Sequence, residues 1–268
     1  MGTGIAQVSA MAGFHTILYE VNIDILEKSK TSLQKNFQSL VEKNKITEER
    51  RNQSLERIHF VSDQNRCVAD LVIEAIVENL EAKVSLFEQL ININDLKTIY
   101  ATNTSSLSVS EIASKVSRPE HTIGMHFFNP APLMKLVEVV RAEKTSADVV
   151  EIIVALANRL GKAPVVCKDS PGFIVNRVAR PFYIESLRLI EEGQTDFSTV
   201  DRLMEATGFR MGPFKLMDLI GNDVNYAVSK SVYEQLNKPE RLRPSDIQKQ
   251  KVETGELGKK TGVGYYRY

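Results

Sequence analysis

The 268-residue chain has no tryptophan and only two cysteines, Cys67 and Cys167. They stand a hundred positions apart in apolar, strand-like surroundings with no Cys-x-x-Cys or Cys/His cluster, which excludes a disulfide framework or thiolate metal site. Both read as small core residues, and no metal is expected. Net charge is lacking too: Lys plus Arg and Asp plus Glu number 34 each, so no global field favours nucleic acid or an anionic membrane. Apolar runs such as GMHFF and LMKLVEVV fall far short of the ~20 residues of a membrane span, and no charged-then-apolar leader opens the chain. The expectation is a soluble, cytoplasmic protein with neither nucleic-acid nor membrane partners. Repeats and low-complexity tracts are also missing. What remains is length enough for a large core, as one large domain or two ordinary ones.

Residues 2–13 read as a helix with Ile5, Val8 and Ala12 on one face and Gly13 as its stop, leading into a strand over 16–20. In a dinucleotide-binding βαβ unit, G-x-G-x-x-G opens such a helix and an acid about 20 positions on binds the ribose 2′-hydroxyl. Glu20 stands 18 positions after Gly2, so Gly2 fits the last glycine of that fingerprint, with the first strand and first two glycines missing. A long amphipathic helix follows over 23–45, capped by Asn22, its apolar stripe at Leu26, Leu33, Phe37 and Leu40. Its lysines, Lys28, Lys30, Lys35 and Lys43, read as a solvated face or as a patch for a phosphorylated carrier. A shorter helix starts at the cap Thr47.

Strands at 59–61, 71–75, 98–101 and 122–127 then alternate with helices at 81–91 and 109–115, predicting a parallel, doubly wound sheet with ligands at the strand carboxyl ends. Polar clusters fall at three of those ends: Glu78-Asn79, Thr102 to Ser106, and His126 with Asn129. The stretch 121–141, HTIGMHFFNPAPLMKLVEVVR, places one histidine at a strand end and one glutamate in the next apolar strand. Burying Glu138 unpaired would cost several kcal/mol, so it needs a donor, and His126 is the obvious candidate. A histidine oriented by a carboxylate is a general base. The residues alone leave a second reading open, with His126 a satisfied core histidine and Glu138 exposed on an edge strand.

A helix over 146–160 and a strand over 164–167 precede Asp169-Ser170-Pro171-Gly172, the one clear break in the chain. It divides residues 1–169 from 170–268. Beyond it the pattern is helical, at 173–191, 198–207, 215–220, 223–236 and 245–253. The first of these is apolar on more than one side, and Asn176, Arg177 and Arg180 within it need partners. The glycine-punctuated tail reads as a loop pinned by its tyrosines.

Together GTGIAQVSAMAG, AIVENLEAK, NTSSLSV, GMHFFNPAPLMKLVEVV, KDSPGFIVNR, MGPFKLMDLIG and LGKKTGVGYY resemble the 3-hydroxyacyl-CoA dehydrogenases, the 3-hydroxybutyryl-CoA type in particular. The resemblance implies a Rossmann-like NAD-binding domain over 1–169 and an all-helical substrate and dimerisation domain over 170–268, working as a homodimer. It implies NAD-dependent oxidation of (S)-3-hydroxyacyl-CoA to 3-oxoacyl-CoA. By the same resemblance His126 is the catalytic base and Glu138 its orienter, with Ser105 and Asn176 near the reacting carbon. Gly2, Glu20, Glu78, Lys83, Ser105, Asn129 and Lys260 correspond to cofactor contacts, and Lys43 to a coenzyme A contact. Asn36 stands where some relatives have serine.

The family pattern starts with a strand that this sequence lacks, which predicts two neighbouring strands with unpaired edges and a loss of the glycine turn at the pyrophosphate. Two outcomes follow: a dehydrogenase whose start lies upstream of Met1, or a truncated, catalytically impaired acyl-CoA-binding or dimerisation module. A dehydrogenase of a small hydroxy acid is a further alternative.

Overall fold

The computed structural model describes all residues, 1–268, in two units, Met1–Asp169 and Ser170–Tyr268. In the first, seven strands run in order: β1 (Thr16–Tyr19), β2 (Ile58–Val61), β3 (Leu71–Glu74), β4 (Ile99–Thr102), β5 (Thr122–Phe127), β6 (Leu136–Arg141) and β7 (Ala163–Lys168). Six helices lie between or before them: α1 (Gly2–Met11), α2 (Ile23–Glu42), α3 (Glu48–Glu56), α4 (Leu80–Ile91), α5 (Val109–Ser114) and α6 (Ala147–Arg159). Local chemistry sets several helix starts. The side chains of Asn22, Thr47, Asn79 and Ser108 each accept first-turn amides, satisfying donors that the helix itself cannot.

β1 and β2 form a two-stranded parallel sheet, and the others a five-stranded sheet in the order β3-β4-β5-β6-β7. β1 and β3 do not pair, so each keeps an open edge. All pairings are parallel, as the alternation of the strands before residue 127 predicts, except that of β5 with β6, which lies beyond that alternation. The physical reason is the connection: residues 128–135 are too few for a parallel crossover, which needs a dozen or more. Antiparallel pairing sets His126 directly opposite Glu138.

Alternation along the strands divides the core. Ile99 and Ala101 face one layer with Ile5 and Val8 of α1 and Val149, Ile153 and Ala157 of α6. Tyr100 faces the other with Phe87 and Leu90 of α4 and Ile112 of α5. A third cluster joins Ala10, Leu33, Phe37 and Ile58, so the apolar stripe of α2 is buried while its lysine face is exposed.

The second unit is helical: α7 (Val175–Glu191), α8 (Phe197–Ala206), α9 (Pro213–Ile220), α10 (Asn222–Gln235) and α11 (Asp246–Glu253). Its core gathers Tyr183, Leu187, Val200, Phe214, Met217 and Tyr265. Arg180 is buried with its head satisfied: Nε donates to the Asn176 carbonyl, and Nη1 to the Asn225 carbonyl and the Ser229 hydroxyl. Burial lowers its pKa to about 10. Asp218, fully buried, accepts the amides of Tyr265 and Tyr266, the hydroxyl of Tyr268 and the Asn222 side-chain amide. These bonds pin the tail. Gly264 passes so close that a β-carbon there would lie 2.0 Å from Asp218 Oδ1.

Candidate active site

The carboxyl ends of β3, β4 and β5 hold the polar residues singled out above. His126 and Glu138 are buried to 6% and 1% exposure, and Nδ1 of the imidazole lies 2.8 Å from Oε2 of the carboxylate. The two strands hold the residues directly opposite each other, which brings the side chains together on one face. The carboxylate faces Nδ1, so Nε2 is the ring nitrogen turned away from it, and the Phe128 ring lies tilted against the imidazole at 4.6 Å. The reading that left Glu138 exposed on an edge strand does not hold. Cys167, on the neighbouring strand, is half-buried and not the core residue expected; burial and the charges of Glu138 and Asp169 push its thiol up to about 11, which leaves it unreactive.

After β4 the chain turns through Asn103 to Ser106. Asn103 Oδ1 accepts the amide of Phe127, tying this turn to the end of β5. Glu78 holds the rest: its Oε1 accepts the Thr104 hydroxyl at 2.6 Å, the amides of Ser105 and Ser106 at 3.0 and 3.1 Å, and the Ser106 hydroxyl at 2.9 Å. Partial burial would raise the Glu78 carboxyl, but the Thr104 hydroxyl, Lys83 and these donors outweigh it and hold it below the usual carboxylate range. Lys83 is 1% exposed, its Nζ 2.7 Å from Glu74 Oε1 and 3.2 Å from Glu78 Oε2. Glu78, Lys83 and Ser105 are therefore one connected cluster.

The other residues singled out above are taken element by element. Gly2 opens α1, which has no side-chain cap, so no side chain accepts its first amides. Glu20 follows β1, its Oε1 accepting the Asn22 amide at 3.0 Å. Asn129 is exposed on the connection after β5, Lys43 is exposed at the end of α2, and Asn36 bonds Gln7 at 3.3 Å. In the helical unit Asn176 lies in the first turn of α7, and Lys260 pairs with Asp223 at 2.6 Å. An uncapped helix start followed by an acid beyond the next strand suits a dinucleotide.

Sequence reasoning missed two buried charges here. Glu74, the last residue of β3, is a lone carboxylate in an apolar strand, the same signal that pointed to Glu138. Lys162 is 8% exposed and donates Nζ to the carbonyls of Ala131 and Met134, bracing the connection that carries Asn129.

The family model of the 3-hydroxyacyl-CoA dehydrogenase NAD-binding domain matches residues 1–170, and that of the C-terminal domain residues 172–268. The chain belongs to the 3-hydroxyacyl-CoA dehydrogenase family. Its members are NAD-dependent oxidoreductases, and the first unit is the family's NAD-binding domain. The chain is 45% identical over 268 residues to the 3-hydroxyadipyl-CoA dehydrogenase of Escherichia coli, matching 99% of this chain but 56% of that protein. It is 40% identical over 270 residues to a probable 3-hydroxybutyryl-CoA dehydrogenase of Deinococcus radiodurans, matching 100% of this chain and 96% of that one. The crystal structure of an (S)-3-hydroxybutyryl-CoA dehydrogenase from Ralstonia eutropha superposes with a TM-score of 0.96 at 36% identity, covering 100% of this chain and 95% of that one. No helix of this family member is long and apolar enough to cross a membrane.

Proposed function

We propose that this chain oxidises the 3-hydroxyl of an (S)-3-hydroxyacyl-CoA, 3-hydroxybutyryl-CoA foremost, with His126 as general base and Glu138 as its orienter. The observation that carries the reading is the buried bond of 2.8 Å between them. Nδ1–H donates to Glu138, so Nε2 keeps its lone pair and takes the hydroxyl proton as the hydride leaves C3. The negative carboxylate stabilises the imidazolium that results, which returns the proton in the reverse reaction. NAD supplies the electron-pair acceptor when bound. Ser105 and Asn176 serve the reacting carbon, Gly2, Glu20, Glu78, Asn129 and Lys260 the cofactor, with the buried Lys83 acting there through Glu78, and Lys43 the coenzyme A. The names of the Deinococcus and Ralstonia relatives support the short acyl chain.

The test is NADH formation from (S)-3-hydroxybutyryl-CoA and longer homologues. His126→Gln should lower turnover ~10²-fold or more, the usual scale for a general base. Near wild-type turnover in that variant would overturn the assignment. A homodimer through the helical unit is part of the proposal, supported by apolar side chains such as Val178, Leu203 and Phe209, which are 73%, 61% and 50% exposed. Sedimentation analysis decides it. The open edges of β1 and β3 support a second reading, a family module that holds NAD weakly, and an NAD titration separates the two.

A further inference from the structure

Glu74 ends β3 directly opposite Thr102 of β4, where the turns after these strands leave the sheet. Its side chain is fully buried, and each of its contacts is a donor. Oε1 accepts the Ile76 amide and Lys83 Nζ, both at 2.7 Å, and Oε2 accepts the Thr102 hydroxyl at 2.7 Å. Its backbone carbonyl takes the amide of Asn103 at 2.8 Å.

Lys83 is the less expected member. It sits in the fourth position of α4, where the helix dipole disfavours a cation, and its ammonium is shut away from water. Only flanking carboxylates make that placement tolerable. Glu74 is the nearer and the more deeply buried, while Glu78 has 36% of its side chain exposed. The line of contacts thus runs from the buried end of β3 through Lys83 to Glu78, and Glu78 holds the amides of Ser105 and Ser106.

A buried ion pair is weak grounds for stability, since an apolar pair of similar volume does as well. What an apolar pair could not do is fix the direction of the Glu78 carboxylate. We propose that Glu74 is a positioning residue: acting through Lys83 and Glu78, it presets the Ser105–Ser106 turn at the end of β4. The role in turnover rests on the function proposed above; the structural role does not.

Two variants of the full chain test this, Glu74→Gln and the double variant Glu74→Gln/Lys83→Met. The second removes both charges, so that no uncompensated ammonium is left to unfold the protein. Amide exchange of Ser105 and Ser106 is followed alongside melting temperature and kinetics. Both variants should exchange these two amides about tenfold faster while β4 and β5 amides are unchanged, the double variant regaining the wild-type melting temperature. Turnover should fall by about ten- to a hundredfold, as expected for misplaced groups, with the acyl-CoA KM held within about twofold. Glu74→Asp, which keeps the charge, should recover part of both. Wild-type protection of Ser105 and Ser106 in the double variant would overturn the proposal, because the pair would then serve stability alone. A wild-type chain that forms no NADH would refute the function, yet the exchange result would still decide the positioning role.

Discussion

Replacing Glu138 by glutamine changes one atom type in a buried site. The side chain is 1% exposed and stands opposite His126 in the ladder, so the amide must occupy the carboxylate's place against Nδ1. Two orientations are available. With its NH2 toward Nδ1, the amide forces the ring proton onto Nε2, and the ring nitrogen meant to accept a proton becomes a donor. With its oxygen toward Nδ1, the tautomer survives but the charge that stabilises the imidazolium is gone. Loss of tautomer control together with loss of the counter-charge should lower kcat by about 10²- to 10⁴-fold. At 1.36 kcal/mol per decade this is about 3–5 kcal/mol of transition-state stabilisation. Because Glu138 lies behind the imidazole, the KM for acyl-CoA should move little. Initial rates of NADH formation at saturating substrate, with circular dichroism to confirm folding, are the assay. A folded Glu138→Gln variant with kcat within about threefold of wild type would refute the reasoning, since general-base effects are far larger.

The acid at Glu20 should repel a 2′-phosphate, so kcat/KM should favour NAD over NADP by at least about tenfold, and Glu20→Ala should narrow the gap; an NADP preference would contradict it. The Glu78 carboxyl lies below its ordinary value of 4.5, so the stability it contributes is present above that value and lost only as pH falls through the lower folded value. The amide resonances of Ser105 and Ser106 should therefore hold their native positions at pH 4.5 and shift only in stronger acid. Asp218→Asn turns an amide NH2 toward donors that Asp218 now satisfies, and should cost on the order of 3–5 kcal/mol in denaturant unfolding. A loss below about 1 kcal/mol would mean that the tail is not held by this carboxylate.

Helix starts were legible because a cap is a contact between residues two or three apart. Asn22, Thr47 and Ser108 could be read from their own neighbourhood. The need of Glu138 for a donor was equally legible, as a carboxylate among valines. Glu74 carried the same signal but stood beside Glu78, whose place in the turn drew the functional reading. Lys162 showed no local sign, since its acceptors are carbonyls about thirty positions earlier. Lys83 was read as a cofactor contact from family resemblance; its burial between Glu74 and Glu78 could be seen only once β3 and α4 were packed.

The sequence by itself determined the alternation of strands and helices, the helical second half, the family, and the demand that His126 and Glu138 find each other. The family follows from the resemblance of its motifs, and the rest from periodicity, caps and the cost of a buried charge, all local or nearly so. Tertiary structure alone decided how the pair meets. The short connection 128–135 turns β6 antiparallel to β5, and this register, set by backbone hydrogen bonds across the sheet, puts the carboxylate 2.8 Å behind the imidazole.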